Sequence, residues 1–106
     1  MSQRTELEYK LAQMFIVGFQ GIELSPSTQK FLEEYQPGGV IYFACNYDSP
    51  VQVYELSESV QNTRSKQNSL PLIVAVDHEG GRVQRFRKQF THFQSPQYLV
   101  ILILQN

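Results

Sequence analysis

The sequence predicts an α/β fold with parallel strands, and three observations carry that expectation. Three apolar runs, Phe15–Phe19, Val40–Ala44 and Leu72–Val76, lack polar alternation, as strands covered on both faces do. The second and third runs each follow a segment opening with Ser-Pro, a helix start with an N-cap and a proline at the first helical position. The resulting order is helix, then β-α-β-α-β, and right-handed crossovers set all three strands parallel. This pattern suits a doubly wound sheet or part of a (β/α)₈ barrel.

Each element has a local cause. Thr5-Glu6-Leu7-Glu8 matches a capping box, and Leu7, Leu11 and Met14 follow at helical spacing. Phe15–Phe19 is the first strand, closed by Gln20-Gly21. Ser25 and Pro26 start the next helix, Phe31, Leu32 and Tyr35 form its apolar side, and Pro37-Gly38-Gly39 ends it. After the Val40–Ala44 strand, Ser49-Pro50-Val51-Gln52 starts a third helix, with Gln52 placed to complete a capping box. Val53, Leu56 and Val60 share one face of it, and a polar stretch from Asn62 to Ser69 leads into the Leu72–Val76 strand.

Composition bounds what the chain does. Its 106 residues suffice for one modest domain with its own core. A net charge of -1 gives no general attraction to nucleic acid or to an anionic membrane. The single cysteine, Cys45, excludes an internal disulfide, fits a reducing compartment, and reads as a small buried residue rather than a nucleophile. The polar N-terminus has no secretory apolar region, so a cytoplasmic location is expected. Tyr98–Leu104 is continuously apolar, but as a helix it reaches roughly 10 Å against a hydrocarbon core of about 30 Å. A buried strand or an aggregation-prone tail is the expectation there.

In both candidate folds function gathers beyond the carboxyl ends of the strands, where Asn46 and Asp77 lie. Asp77 opens the stretch Asp77-His78-Glu79-Gly80-Gly81-Arg82-Val83-Gln84-Arg85 directly after an apolar strand. A carboxylate there needs a hydroxyl-bearing ligand, its own loop, or a basic neighbour such as Arg82. His78 has no H-x-x-x-H partner, which favours an ordinary loop residue over a metal ligand. Glu79 with Asp77 admits a two-carboxylate glycosidase geometry, although their spacing is unspecific. Gly80-Gly81 permits positive φ or close backbone approach, and no phosphate-loop pattern surrounds it. Arg82, Arg85 and Arg87 alternate with apolar residues, and a guanidinium fork could clamp a carboxylate or hydroxyl.

Val76 to Phe86 resembles the signature of the N-terminal barrel of glycoside hydrolase family three, and within it the β-N-acetylglucosaminidase branch. The resemblance extends through Leu11–Phe19, Gly38–Phe43 and Asn46-Tyr47, in family order and spacing. It implies the first three βα units of a TIM-type barrel that removes terminal β-linked N-acetylglucosamine from muropeptide-type sugars. It further implies a retaining mechanism through a glycosyl-enzyme intermediate, with no metal and no organic cofactor. By position, Asp77 would accept from hydroxyls of the sugar and Arg85 would line the same pocket, while Glu79, Gly80, Gly81 and Arg82 would shape the loop. Cys45 departs from the basic residue that relatives often carry there.

The resemblance fades after about Phe93, which divides the chain into a partial barrel domain, 1–93, and a divergent apolar tail, 94–106. The family's nucleophilic aspartate and its proton-donating histidine lie on later units, so no catalytic residue is expected within this chain. The expectation is therefore a truncated form without activity alone. A remnant sugar-binding role, self-association through open strand edges, or pairing with a complementary chain are the alternatives.

Overall fold

The computed structural model describes residues 4–64 and 70–105, so part of the polar stretch expected before the third strand, residues 65–69, lies outside the described residues. Thr5 caps α1 (Glu6–Ala12) as its sequence anticipates. The Thr5 hydroxyl accepts from the Glu8 amide at 3.2 Å, and Glu8 Oε2 accepts from the Thr5 amide at 2.6 Å. That backbone hydrogen bond holds the Glu8 carboxyl below its usual value. Leu7 and Leu11 nevertheless remain exposed, and α1 buries none of its residues.

β1 (Ile16–Val17), α2 (Pro26–Tyr35), β2 (Gly39–Tyr42), a 3-10 turn (Ala44–Asn46), α3 (Pro50–Asn62) and β3 (Ile73–Val76) follow in order. The strands form one parallel sheet with β2 central, Ile16 opposite Gly39 and Val40 opposite Val74. The β-α-β-α-β order read from the sequence is thus present. β2 is the best covered strand: Val40 and Tyr42 on one face are core residues and Ile41 on the other is half-buried, whereas Ile16 is 50% and Ile73 60% exposed. The outer strands each lack, on one side, the neighbour whose side chains shield β2.

Both Ser-Pro starts cap their helices. The Ser25 hydroxyl accepts from the Thr28 amide at 3.1 Å, and the Ser49 hydroxyl from the Gln52 amide at 3.1 Å. Gln52 closes the expected box, its Oε1 accepting from Asp48 and Ser49 amides while its Nε2 donates to Ile22 and Asn46 carbonyls. The Pro37-Gly38-Gly39 run does not end α2. Gln36 does so in a left-handed conformation, φ 50°, donating its amide to Leu32 O at 3.1 Å. Gly38 instead meets a close backbone approach: a Cβ there would overlap the Gln13 carbonyl, and its amide donates to Ala12 and Phe15 carbonyls.

The core joins Leu32 of α2, Leu56 and Val60 of α3, Val40 and Tyr42 of β2, Leu72 before β3, and Phe86. Each such burial is worth about 1.5–3 kcal/mol. At the opposite end of the sheet from Asp77, α3 grips the chain that enters β3. Gln61 Nε2 donates to Leu72 O at 2.8 Å, and Gln61 Oε1 accepts from Leu72 N at 3.0 Å. Arg64 donates to the Pro37 carbonyl, and burial lowers its guanidinium pKa.

Past β3, β4 (His78–Gly80) and β5 (Val83–Gln84) form an antiparallel hairpin, and α4 (Pro96–Gln105) follows. The apolar tail is therefore a helix and not a buried strand, the first of the two forms expected for it. A helix satisfies its backbone groups internally, whereas a strand needs a partner edge. α4 buries none of its residues. Among the described residues no helix is long and apolar enough to cross a membrane.

Candidate functional site

Because the strands are parallel, Gly18, Phe43 and Asp77 all follow strand carboxyl ends along one edge of the sheet. The hairpin register, His78 opposite Gln84, carries Arg85 back to Asp77. The Arg85 amide donates to Asp77 O at 3.2 Å, and its Nη2 lies 3.7 Å from Asp77 Oδ2. Asp77 therefore pairs with Arg85 and not with Arg82. The two side chains are 41% and 39% exposed, so the ion pair contributes under about 1 kcal/mol and leaves both groups open to a ligand. Arg85 Cζ also sits 5.9 Å from the centre of the Phe43 ring, and its Nε is buried with no hydrogen-bond partner among the described residues. A half-exposed carboxylate beside a half-exposed guanidinium suits a ligand rich in hydroxyls and carbonyl oxygens.

The hairpin turn rests on its glycines. Gly80 has φ 82° and Gly81 φ 58°, and a Cβ on Gly80 would overlap the Gln94 carbonyl. The Gly81 amide donates to Phe93 O at 2.7 Å. Glu79 and Arg82 are exposed, and the guanidinium that spans the turn is that of Arg87, donating to Gly81 O at 3.3 Å and Arg82 O at 3.0 Å. His78 packs edge-on against the Phe93 ring at 5.8 Å. Among the described residues no group of three or more His, Cys, Asp or Glu side chains could hold a metal ion.

Two buried amides hold these loops, and neither role was visible in the sequence. Asn46 is fully buried: its Oδ1 accepts from Phe43 N at 2.9 Å, and its Nδ2 donates to Phe19 O at 3.0 Å and Gly21 O at 2.8 Å. It thereby ties the loop after β1 to the end of β2. Gln84 is buried likewise, donating to Phe86 and Thr91 carbonyls and accepting from Phe93 N. Cys45, expected inside, is exposed, because the 3-10 turn directs Asn46 inward and its neighbour out. Two surface concavities lie apart from Asp77 and Arg85. One of about 460 Å³ is lined mainly by α3 and the residues 22–24 that precede α2, the other of about 380 Å³ by β1, its following residues and α2.

Residues 6–102 match the glycosyl hydrolase family 3 N-terminal domain. The chain belongs to that family. A β-hexosaminidase of Nitrosomonas eutropha is 49% identical over 71 residues, covering 67% of this chain and 19% of that protein. One from Methylobacillus flagellatus is 46% identical over 71 residues, with the same 67% and 19% coverage. Among solved structures, a family 3 β-N-acetylglucosaminidase of Paenibacillus superposes with TM-score 0.78 at 34% identity, over 87% of this chain and 18% of that one. NagZ of Neisseria gonorrhoeae, solved with N-trifluoroacetyl-D-glucosamine, gives TM-score 0.77 at 30% identity over 85% of this chain and 26% of that one. The fold is accordingly the N-terminal portion of a (β/α)₈ barrel. The chain spans about a fifth of the length of the curated relatives it matches.

Proposed function

We propose that this chain contributes the first three βα units of a β-N-acetylhexosaminidase barrel and holds the terminal N-acetylglucosamine through Asp77 and Arg85. The observation that carries this is the Asp77–Arg85 pair, half-exposed at the carboxyl edge of the sheet within the family motif. Asp77 accepts from sugar hydroxyls, Arg85 donates to sugar oxygens, and Glu79, Gly80, Gly81 and Arg82 shape the loop between them. The substrate is a muropeptide-type sugar of cytoplasmic peptidoglycan recycling, cleaved with retention through a glycosyl-enzyme intermediate. The nucleophile and the proton donor belong to later βα units, so the 106 residues alone bind sugar without cleaving it.

Titrating N-acetylglucosamine into the chain by calorimetry tests this. Saturable binding is expected, weakened at least about tenfold in Arg85→Ala through loss of a charged hydrogen bond. A flat titration of the unsubstituted chain overturns the proposal, as does turnover of a chromogenic β-N-acetylglucosaminide that Asp77→Ala abolishes. The exposed Ile16 and Ile73 on the outer strands favour a second reading, in which a chain carrying the remaining barrel units pairs with these edges. A chromogenic assay after mixing with residues from the later units of a relative reads that pairing as restored turnover.

A further inference from the structure

We infer that Phe43 is a positioning residue for Arg85, set in place by Asn46, so that the end of β2 determines where the guanidinium meets its ligand. The inference rests on the sugar-holding role proposed above for Asp77 and Arg85.

Arg85 has few fixed partners. Its Nη2 is 3.7 Å from Asp77 Oδ2, a loose ion pair, and its Nε has no partner among the described residues. The other group against the guanidinium is the Phe43 ring, 5.9 Å from Cζ to its centroid, within the range of cation–π attraction. A half-exposed arginine loses side-chain freedom only where a neighbour restrains it, and the ring does so without consuming a donor. The ring thus takes up none of the N–H groups that the half-exposed guanidinium can offer to ligand oxygens.

The backbone that carries the ring is held in place. Asn46 Oδ1 holds the Phe43 amide at 2.9 Å, and the same carboxamide is anchored on Phe19 and Gly21. At the end of β1, Gly18 lies beside the ring, its Cβ position 3.4 Å from Phe43 Cε2, an ordinary van der Waals distance. Gly18, Phe43, Asn46 and Arg85 thus form one assembly built from the carboxyl ends of β1 and β2 and from the hairpin.

The test compares Phe43→Leu and Phe43→Met, which remove the ring, with Phe43→Tyr, which keeps it. Two ring-free replacements of similar size keep the test decisive if one of them fails to fold. The first readout needs no ligand: the Arg85 Nε–Hε resonance, assigned by its loss in Arg85→Lys, should carry a ring-current shift. That shift should vanish in the Leu and Met variants and persist in the Tyr variant. The second readout is calorimetric titration with N-acetylglucosamine, where Leu and Met should weaken binding about two- to fivefold and Tyr should restore it. An unmoved Arg85 resonance in Phe43→Leu overturns the inference. A moved resonance with unchanged affinity overturns it too, since placement would then not matter to the sugar. An unsubstituted chain that binds no sugar overturns the sugar-holding role instead, and the resonance still decides whether Phe43 positions Arg85.

Discussion

Replacing Asn46 with alanine should loosen the carboxyl edge of the sheet more than any single apolar truncation in the loops around it. The carboxamide makes three hydrogen bonds to backbone groups in a fully buried position, to Phe43 N, Phe19 O and Gly21 O, and accepts a long, weak one from Cys45 Sγ at 3.7 Å. At about 1 kcal/mol net for each neutral hydrogen bond, the loss is about 3 kcal/mol. Groups left buried without partners raise that figure, and a water entering the vacated space lowers it. The sequence has no tryptophan, so equilibrium urea unfolding is best followed by far-ultraviolet circular dichroism. The midpoint should fall with an unchanged slope. Asn46→Asp keeps the acceptor for Phe43 N but turns a carboxylate toward two carbonyl oxygens. It should be at least as destabilising at neutral pH and recover in part as acid protonates it. A loss under about 1 kcal/mol in Asn46→Ala, at constant slope, would refute the clamp.

Further outcomes follow from other contacts. Leu32→Ala empties a fully buried position and should cost about 2–5 kcal/mol by urea unfolding. Gly80→Ala places a Cβ at φ 82° against the Gln94 carbonyl, and should cost at least about 1–3 kcal/mol while disturbing the hairpin amide resonances. Burial pushes the Tyr42 hydroxyl above its ordinary value of 10.0, so its contribution to stability is full below that value and is lost as pH rises through the folded-state value. Denaturation midpoints should therefore drop above pH 10.0, and less steeply in Tyr42→Phe. The seven apolar side chains of α4 from Tyr98 to Leu104 are all exposed, and Ile101→Lys with Leu104→Lys should reduce concentration-dependent light scattering.

The elements that were legible in the sequence are those whose causes are local. Thr5, Ser25 and Ser49 cap their helices with partners three residues on, and that spacing is visible along the chain itself. What escaped depends on distant backbone. Gly38 reads as a helix terminator until α1 is known to end against it. Asn46 and Gln84 look like ordinary polar residues, because a carboxamide declares its role only when carbonyls from other loops surround it. The apolar run in α4 fits helix or strand equally, since unbroken hydrophobicity carries no period. The pairing of Asp77 with Arg85 was open to inference. Two glycines between short strand-like segments signal a hairpin, and placing His78 opposite Gln84 carries the ladder one step further to Asp77 and Arg85.

The grip of Gln61 on Leu72 has a consequence at the other end of the sheet. A side-chain amide there meets both backbone groups of Leu72, as a neighbouring strand would, and so fixes where β3 begins. Asp77 lies five positions after Leu72, about 16 Å along extended chain. β3 therefore works as a gauge rod. α3 sets its zero, and the height at which the Asp77 carboxylate emerges is read off along it. An insertion or deletion in the link between α3 and Leu72 leaves that zero in place, whereas one within the rod moves the carboxylate away from Arg85 and turns it to the other face of the sheet.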